Sequence, residues 1–408
     1  MTLEQVLAAV DANQVGMVQT MLGMLQIPSM APESGGEGEL KRVEFLESVI
    51  GSWGFDKIER VDSKDDRVPS GIRPNLIATV KGATERNFWI LSHTDIVPPG
   101  DLAGWQTPPF EPEVRDGKIF GRGSEDNGQS LIASLYAAKS FLDSQEHPYY
   151  TLKVVLVADE EVGSTKGAIH LLNQNLFQKD DLVLVPDYCQ PGGDRIEVSE
   201  KNILWVGIHT HGLQTHGSTP EKGVNAMEAA SRYMLRLVDH LKEKYAKTDS
   251  LFDPPISTFS PTRRDANVPN INTIPGEDSF YIGSRILPVY PPEEVLGEMQ
   301  SLAEKMGAEL KVKIQIKVEQ MTHSAQMPQD ADIVKLLQAG LKQTRNIQGK
   351  LIGVGGGTVA NYFRERGIPA AVWGTGDDVA HIMNEYCKIE NLVADSKTMA
   401  AMGLLLIS

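Results

Sequence analysis

The sequence is poor in several features that mark particular classes of protein. Its 408 residues contain two cysteines, Cys189 and Cys387, which are too few and too far apart for a disulfide framework or a thiolate zinc site. This usage fits a reduced, cytoplasmic setting. Basic residues are also scarce, because 39 lysines and arginines face 54 aspartates and glutamates. The net charge of −15 argues against nucleic acid as a partner, since phosphates are neutralised by clustered basic residues.

Long apolar runs are missing as well. No apolar stretch of the sequence is long enough to cross a bilayer, which argues against a membrane partner. The first residues, MTLEQVLAAVDANQ, lack a basic flank and carry acidic residues among the apolar ones. We therefore expect an amphipathic helix there rather than a signal peptide.

The remaining composition is that of a globular protein. Hydrophobic residues make up 41% of the chain and charged residues 23%, and 408 residues exceed what one ordinary core accommodates. These values predict two domains.

Helical and strand patterns alternate along the first half of the chain. Apolar residues at helical spacing are separated by short, continuous apolar runs. The segments concerned are helices at 40–52 and 130–144 and strands at 75–80, 87–93, 152–161 and 181–187. Strands that are buried on both sides and alternate with helices predict an α/β fold, in which helices cover both faces of a mixed sheet.

The pattern changes between residues 201 and 318. KNILWVGIHTHG and SFYIGSRILP alternate apolar with polar residues, and a long amphipathic helix follows Asn225, with Glu228 three residues later as in a capping box. These segments predict a smaller α+β domain with an antiparallel sheet and helices on one face. The first pattern then returns, so we predict one α/β domain, residues 1–200 and 319–408, interrupted by this smaller domain.

Acidic residues and histidines gather where the predicted strands end. His93 and Asp95 lie at the end of one strand, Glu160 and Glu161 at the end of another, and Asp187 at the end of a third. In an open α/β sheet the ligand site lies outside the carboxyl ends of the strands, so these side chains are expected to converge. Such a group of carboxylates would repel one another unless a cation neutralised them.

Two further residues complete a metal-ligand set. Asp126 lies in the loop GRGSEDNGQS, and His381 follows the last predicted strand in GDDVAHIMNEY. Two histidines with several carboxylates and no thiolate are the ligands expected for zinc, or for cobalt or manganese in its place. Asp95 shares a strand face with His93 and is expected to accept the far ring N–H of that histidine. The turn GVGGGT could be a flexible turn or a weak phosphate loop, but it lacks the lysine that normally follows.

The order and spacing of the motifs resemble one family over nearly the whole chain. The motifs are SHTDIVPPGD, DGKIFGRGSEDNGQ, ADEEVGS, THGSTPEKGVNA, NTIPG and AHIMNEY. They are similar to those of the di-zinc amidohydrolases and metallopeptidases, which include succinyl-diaminopimelate desuccinylase, acetylornithine deacetylase, carnosinase-type dipeptidases and glutamate carboxypeptidase. The sequence of residues 351–386 most resembles that of the desuccinylase-like metallo-hydrolases.

The resemblance implies a role for each residue of the metal motif. The implied ligands are His93 and Asp187 for one zinc ion, Glu161 and His381 for the other, and Asp126 bridging both. Glu160 is implied as the general base that takes a proton from the metal-bridging water, and Asp95 as the partner of His93. This agrees with the chemistry of the residues, because a carboxylate that is not itself a ligand must move the proton.

The resemblance also implies roles in the smaller domain, which in the family is a lid that forms a homodimer. His216 matches a histidine that reaches the partner subunit's site and supports the oxyanion. Arg285 and Asn272 match groups that hold the substrate carboxylate, and Gly356 lies in the turn that lines the same pocket. A guanidinium suits this task because it can donate two parallel hydrogen bonds to a carboxylate.

Three positions bear on the substrate. Val359 stands where family members commonly have an aspartate, and Gly283 stands where many have an acid before the arginine. Asp187 resembles the dipeptidases and aminopeptidases, whereas carboxypeptidases and many deacylases tend to have glutamate there. Val359 and Gly283 weaken the case for the familiar substrates.

The sequence therefore predicts zinc-dependent hydrolysis of an amide bond in a small carboxylate-bearing substrate, such as an N-acyl amino acid, a succinyl-diaminopimelate-like compound or a dipeptide. The alternative within enzymes is a dipeptidase or aminopeptidase rather than a deacylase. The alternative from another class is a non-catalytic binding protein that retains the fold. Against it, the chain has all five implied ligands together with the general base.

Overall fold

The structure is a computed structural model that describes residues 2–407. These residues form two compact units. The first contains the residues up to Val198, Met327–Leu351, and the residues from Thr358 onward. The second contains Ser199–Gln326 and Ile352–Gly357. None of the helices in the described range combines the length and the apolarity needed to cross a membrane.

The described residues form ten α-helices and nineteen strands, numbered along the chain. The helices are α1 (Leu3–Ala12), α2 (Gln14–Leu25), α3 (Leu40–Ile50), α4 (Ser130–Ser144), α5 (Ala168–Asn173), α6 (Ala226–Lys244), α7 (Pro292–Leu310), α8 (Asp332–Arg345), α9 (Ala360–Glu365) and α10 (Ile389–Leu404). The strands are β1 (Lys57–Arg60), β2 (Ser63–Lys64), β3 (Ile72–Arg73), β4 (Leu76–Val80), β5 (Thr84–His93), β6 (Glu113–Arg115), β7 (Lys118–Phe120), β8 (Tyr150–Val157), β9 (Leu182–Gln190), β10 (Arg195–Glu200), β11 (Asn202–His211), β12 (Thr215–His216), β13 (Thr258–Arg264), β14 (Thr273–Ile274), β15 (Glu277–Ile286), β16 (Lys313–Thr322), β17 (Lys350–Val354), β18 (Ala370–Thr375) and β19 (Tyr386–Lys388).

The large sheet has eight strands in the order β1-β4-β8-β5-β9-β18-β10-β17. Its centre is parallel, because β5 pairs in parallel with both β8 and β9, and β9 pairs in parallel with β18. Antiparallel pairs of β1 with β4, β4 with β8 and β18 with β10 flank this centre. The predicted α/β class with a large mixed sheet is confirmed.

Strand β5 shows why this sheet needs cover on both faces. Trp89 and Leu91 pack into an apolar cluster with residues of α5 and α9, and the alternate residues Phe88 and Ile90 are buried as well. Side chains on a strand alternate between its faces, so helices must cover both. The continuous apolar run that predicted a fully buried strand reflects this position.

The second unit contains a four-stranded antiparallel sheet in the order β13-β15-β11-β16. Its core joins buried residues of these strands, such as Leu204 and Phe280, to residues of α6 and α7, such as Tyr233 and Met299. Burial alternates strictly along β15, as expected for a sheet that carries helices on one face. The predicted start of α6 is also found, because the Asn225 side chain accepts a hydrogen bond from the Glu228 N–H at 3.1 Å.

Strand β9 differs from its prediction at the carboxyl end. The apolar run predicted a strand ending at Asp187, whereas β9 continues to Gln190. Its pairing with β18 is interrupted, because the register shifts between the pairs Val372–Val185 and Gly374–Cys189. An irregularity of this kind turns a side chain away from the regular alternation. Asp187 lies in this interrupted stretch.

Candidate metal centre

The carboxyl ends of β5 and β8 bring the first ligands together. His93 is the last residue of β5 and pairs with Val157, the last residue of β8. The chain then turns through Asp159, which has a left-handed backbone (φ 69°), into a short 3-10 turn that begins with Glu160 and Glu161. Two neighbouring parallel strands therefore place a histidine and two glutamates at the same edge of the sheet.

One cluster forms around His93. The Nε2 atom of His93 lies 2.9 Å from Oδ1 of Asp126 and 3.6 Å from Oδ1 of Asp187. His93, Glu160 and Asp187 each offer a ligand atom within 4.8 Å of the others. These side chains are spaced closely enough to share one cation.

A second cluster forms around His381. The Nε2 atom of this histidine lies 2.9 Å from Oδ2 of Asp126 and 3.2 Å from Oε2 of Glu161. The other oxygen of Glu161, Oε1, is buried and has no hydrogen-bond partner within residues 2–407. Asp126 therefore directs one carboxylate oxygen to each histidine and links the two clusters.

The carboxylates and histidines of the two clusters shift one another's pKa values through burial, charge and hydrogen bonds. Burial raises the pKa of Glu160 well above its ordinary value, and the negative charge of Asp187 raises it further. Burial raises the pKa values of Asp187 and Glu161 as well. Hydrogen bonds to Asp126 and Glu161 raise the pKa of His381 to about 10. A divalent cation held by the same oxygen and nitrogen atoms would replace the shared protons, so this set of side chains fits a metal.

Asp95 lies beneath the cluster and makes different contacts from those expected. Its carboxylate oxygens accept hydrogen bonds from the backbone N–H groups of Glu160 and Glu161, both at 3.0 Å. The Nδ1 atom of His93 lies 3.0 Å from the backbone carbonyl oxygen of Asp95 and 3.5 Å from its carboxylate. Asp95 thus anchors the turn that carries both glutamates, while its backbone oxygen is the nearer partner of His93.

Two buried glutamates hold the loops of Asp126 and His381 against each other. Glu385 accepts hydrogen bonds from the backbone N–H groups of Gly123 (2.9 Å), Glu125 (2.9 Å) and Asp126 (3.0 Å). In return, the Glu125 carboxylate accepts from the backbone N–H groups of Asp377 (2.7 Å) and Val379 in the loop that leads to His381. Each loop therefore supplies the glutamate that fixes the other. We call this pair of glutamates the reciprocal brace.

Neither glutamate of the reciprocal brace was predicted from the sequence. Glu125 precedes Asp126 directly, and Glu385 follows His381 by four residues, so both lie inside motifs that had been singled out for the metal ligands. Adjacency to a ligand was the available signal, but it does not reveal that each glutamate binds the opposite loop.

We expect Glu385→Gln to weaken metal binding by about 10-fold to 100-fold, the usual effect of losing a group that orients a ligand. The amide would place its N–H donors against the backbone N–H groups from which Glu385 now accepts hydrogen bonds. Metal affinity measured by competition with a chromophoric chelator tests this expectation. Glu197→Gln is the matched control, because both glutamates are buried (0% exposed) and each pairs with an arginine, Glu385 with Arg122 at 2.7 Å and Glu197 with Arg364 at 2.8 Å, whereas the backbone N–H groups of the Asp126 loop bind Glu385. Equal metal affinities for both variants would contradict the role of the brace.

The remaining predicted site residues belong to the second unit. His216 and Asn272 are both exposed, and Nε2 of His216 lies 3.1 Å from Nδ2 of Asn272, so the structure brings these two residues together. Arg285 lies on β15, partly exposed. Gly356 lies in an exposed loop after β17.

The fold and this cluster define a class of protein. A sheet edge that gathers two histidines and four carboxylates, among them two groups that could hold a metal ion, has the parts of a metal-dependent hydrolase. The chain belongs to peptidase family M20/M25/M40, whose family model matches residues 89–404.

Similar proteins agree with this class. An uncharacterized metallohydrolase of Methanocaldococcus jannaschii is 38% identical over 386 residues, which cover 91% of this chain and 94% of that protein. A succinyl-diaminopimelate desuccinylase of Methylocella silvestris is 27% identical over 375 residues, with 91% and 93% covered. Among solved structures, the aminopeptidase PepT of Bacillus cereus has a TM-score of 0.77 at 20% identity. The match covers 96% of this chain and 98% of that protein. The last likeness extends to the fold alone.

Proposed function

We propose that this protein hydrolyses an amide bond in a small carboxylate-bearing substrate with the help of two zinc ions, for which cobalt or manganese could substitute. The observation that carries the proposal is the surplus carboxylate. Asp126, Glu161 and Asp187 with two histidines suffice as ligands, yet Glu160 also lies among them with a raised pKa. A half-buried carboxyl with a raised pKa is suited to accept a proton from a nearby water and release it again.

Each side chain has a distinct part in the proposal. His93 and Asp187 would hold one ion, Glu161 and His381 the other, and Asp126 both. The ions would lower the pKa of a bridging water and polarise the scissile carbonyl. Glu160 would take a proton from the attacking water and pass it to the leaving nitrogen. Asp95 would keep the turn of Glu160 and Glu161 in place through its two 3.0 Å hydrogen bonds.

The second unit would supply substrate contacts. Arg285 and Asn272 would hold the substrate carboxylate, Gly356 would line the same pocket, and His216 would reach the site of a partner subunit in a homodimer. The contact between His216 and Asn272 supports a shared role for these two residues. A cytoplasmic setting belongs to the same proposal and is supported by two cysteines that are both free thiols.

The substrate class has two candidates within the proposed reaction. Similarity to a desuccinylase at 27% identity supports a deacylase that acts on an N-acyl amino acid or a succinyl-diaminopimelate-like compound. The aspartate at position 187 supports a dipeptidase or aminopeptidase. The choice concerns the group on the carbonyl side of the scissile bond, which the metal ligands themselves do not discriminate.

A substrate panel tests the proposal. N-acetyl and N-succinyl amino acids, succinyl-diaminopimelate and dipeptides are each offered to the zinc-loaded protein, beside the same compounds with the terminal carboxylate converted to an amide. We expect hydrolysis of one class, and loss of turnover for its amidated members. Elemental analysis should find about two zinc-like ions per chain, because five ligands converge. Absence of metal, or hydrolysis that persists in chelator, contradicts the proposal, and binding without hydrolysis favours a non-catalytic protein.

A further inference from the structure

The sheet of the second unit carries a large cavity on the face opposite its helices. Leu204, Ile208 and Phe280 point into the core with α6 and α7, whereas the cavity is bordered by residues such as Trp205 and Tyr281. Its volume is about 830 Å³, and every residue that lines it lies within Ser199–Gln326. The cavity is therefore a property of this unit alone.

Glycine forms the floor of the cavity. Gly283 on β15 lies between Trp205 on β11 and Ser260 on β13, with which it pairs. A Cβ atom at Gly283 would lie 3.3 Å from Cγ2 of Thr262 and 4.0 Å from Cδ1 of Trp205. A larger side chain at Gly283 would thus occupy the space over the indole ring. Because Gly283 has no side chain, a flat depression remains beside the indole of Trp205, a residue that is 40% exposed.

Cationic groups stand next to aromatic rings at the two ends of this floor. The guanidinium carbon of Arg285 lies 5.3 Å from the centre of the Trp205 ring, and that of Arg263 lies 3.7 Å from the centre of the Tyr281 ring. Tyr281 and Arg285 lie on the same strand face, roughly 13 Å apart at the usual rise of a strand. This length accommodates a carboxylate together with a ring system.

Arg285 is the cation whose charge is least compensated. Arg263 is paired with Asp265 (Nε to Oδ1, 3.2 Å), and Lys317 is paired with Glu319 (3.1 Å). By contrast, Nη1 of Arg285 is buried and has no hydrogen-bond partner in the part of the chain that the structure describes. A buried guanidinium N–H without an acceptor is costly, and a ligand carboxylate would satisfy it with a charge-assisted bond.

We propose that this cavity binds an organic carboxylate with a planar, apolar body, whose charge lies at Arg285 and whose ring lies over Gly283 against Trp205. The inference rests on the proposed function for the role of Arg285 and deepens it, because it names a flat apolar group as the second feature of the substrate. The position of Gly283 beside the indole is what selects a flat group. A flat ring can stack on the exposed indole of Trp205, whereas a bulky, three-dimensional group cannot.

Three probes test this proposal by calorimetry on chelator-treated, metal-free protein. Indole-3-propionate has the ring and the charge, 3-cyclohexylpropionate has the charge without a planar ring, and indole-3-propionamide has the ring without the charge. We expect indole-3-propionate to bind about tenfold more tightly than either comparison compound, because it alone combines ring stacking with a charged hydrogen bond. Since the cavity needs no metal, this binding can succeed even if the proposed hydrolysis fails, and the reverse also holds.

Variants of the chain make the test specific. Trp205→Leu, Arg285→Gln and Gly283→Val should each weaken indole-3-propionate binding by about tenfold or more. Arg232→Gln, an exposed arginine of the same unit paired with Glu228 on α6, should leave it unchanged. Equal binding of all three probes, binding that survives both Trp205→Leu and Arg285→Gln, or no binding at all would overturn the proposal. A change in oligomeric state on Trp205→Leu without probe binding would also overturn it and would assign this face to a second copy of the chain.

Discussion

Glu160→Gln is expected to lower turnover by about 100-fold to 10,000-fold while leaving the metal content nearly intact, the usual consequence of removing a general base. The glutamine keeps the volume of the half-buried side chain and the backbone hydrogen bond to Asp95, but it can no longer accept a proton from the attacking water. Single-turnover rates and elemental analysis on the same preparation measure the two properties separately.

The neighbouring substitution, Glu161→Gln, is the matched comparison and should give the opposite phenotype. Glu161 directs Oε2 to within 3.2 Å of Nε2 of His381, so removing its charge should weaken metal binding about 10-fold to 100-fold or more. Activity should then return in part at high metal concentration. If Glu160→Gln loses metal and Glu161→Gln keeps it, the roles of the two glutamates have been assigned in the wrong order.

Mixed dimers of Glu160→Ala and His216→Ala chains are expected to regain about one quarter of the wild-type activity, although each variant alone is nearly inactive. Random pairing gives about half heterodimers, and in each of these one site of two would combine an intact Glu160 with an intact His216 of the partner subunit. The expected loss for His216→Ala alone is about 100-fold to 1,000-fold, as for other groups that support an oxyanion.

Differential affinity tags allow the heterodimer to be isolated and assayed directly. A histidine that acts within its own subunit would leave both sites of the heterodimer defective. Heterodimer that is no more active than the single variants therefore rejects the role across subunits. If the purified protein is monomeric, the role of His216 across subunits is rejected before any heterodimer is made.

Much of the large sheet could be predicted because its information is local. The apolar run at 87–93 is buried on both sides in β5, and the helix predicted at 130–144 is Ser130–Ser144, since periodicity reports which faces are buried. The end of β9 could not be predicted in this way. The chain continues to Gln190 because β18 pairs with it again beyond the register shift, and pairing with a distant segment leaves no trace in local periodicity.

The candidate site shows the same division. His93, Glu160 and Glu161 were found because each lies at or just beyond the end of a recognisable strand. The two oxygens of Asp126 could not be assigned to His93 and His381 from spacing alone, and neither could the binding of each loop by Glu125 or Glu385 from the other. In the second unit, Trp205, Gly283 and Ser260 become neighbours only through the register of three strands.

The sequence by itself determined the chemical groups and the strand ends at which they occur, because backbone preferences and the alternation of burial act over a few residues. Only the tertiary structure decided which groups meet. Asp126 and His381 are 255 residues apart, so their 2.9 Å contact depends on the pairing of β9 with β18 and on two buried glutamates that bind across loops. Such contacts are set by the packing of the whole unit, in which a register shift of one residue would turn the side chains of the shifted strand to the opposite face.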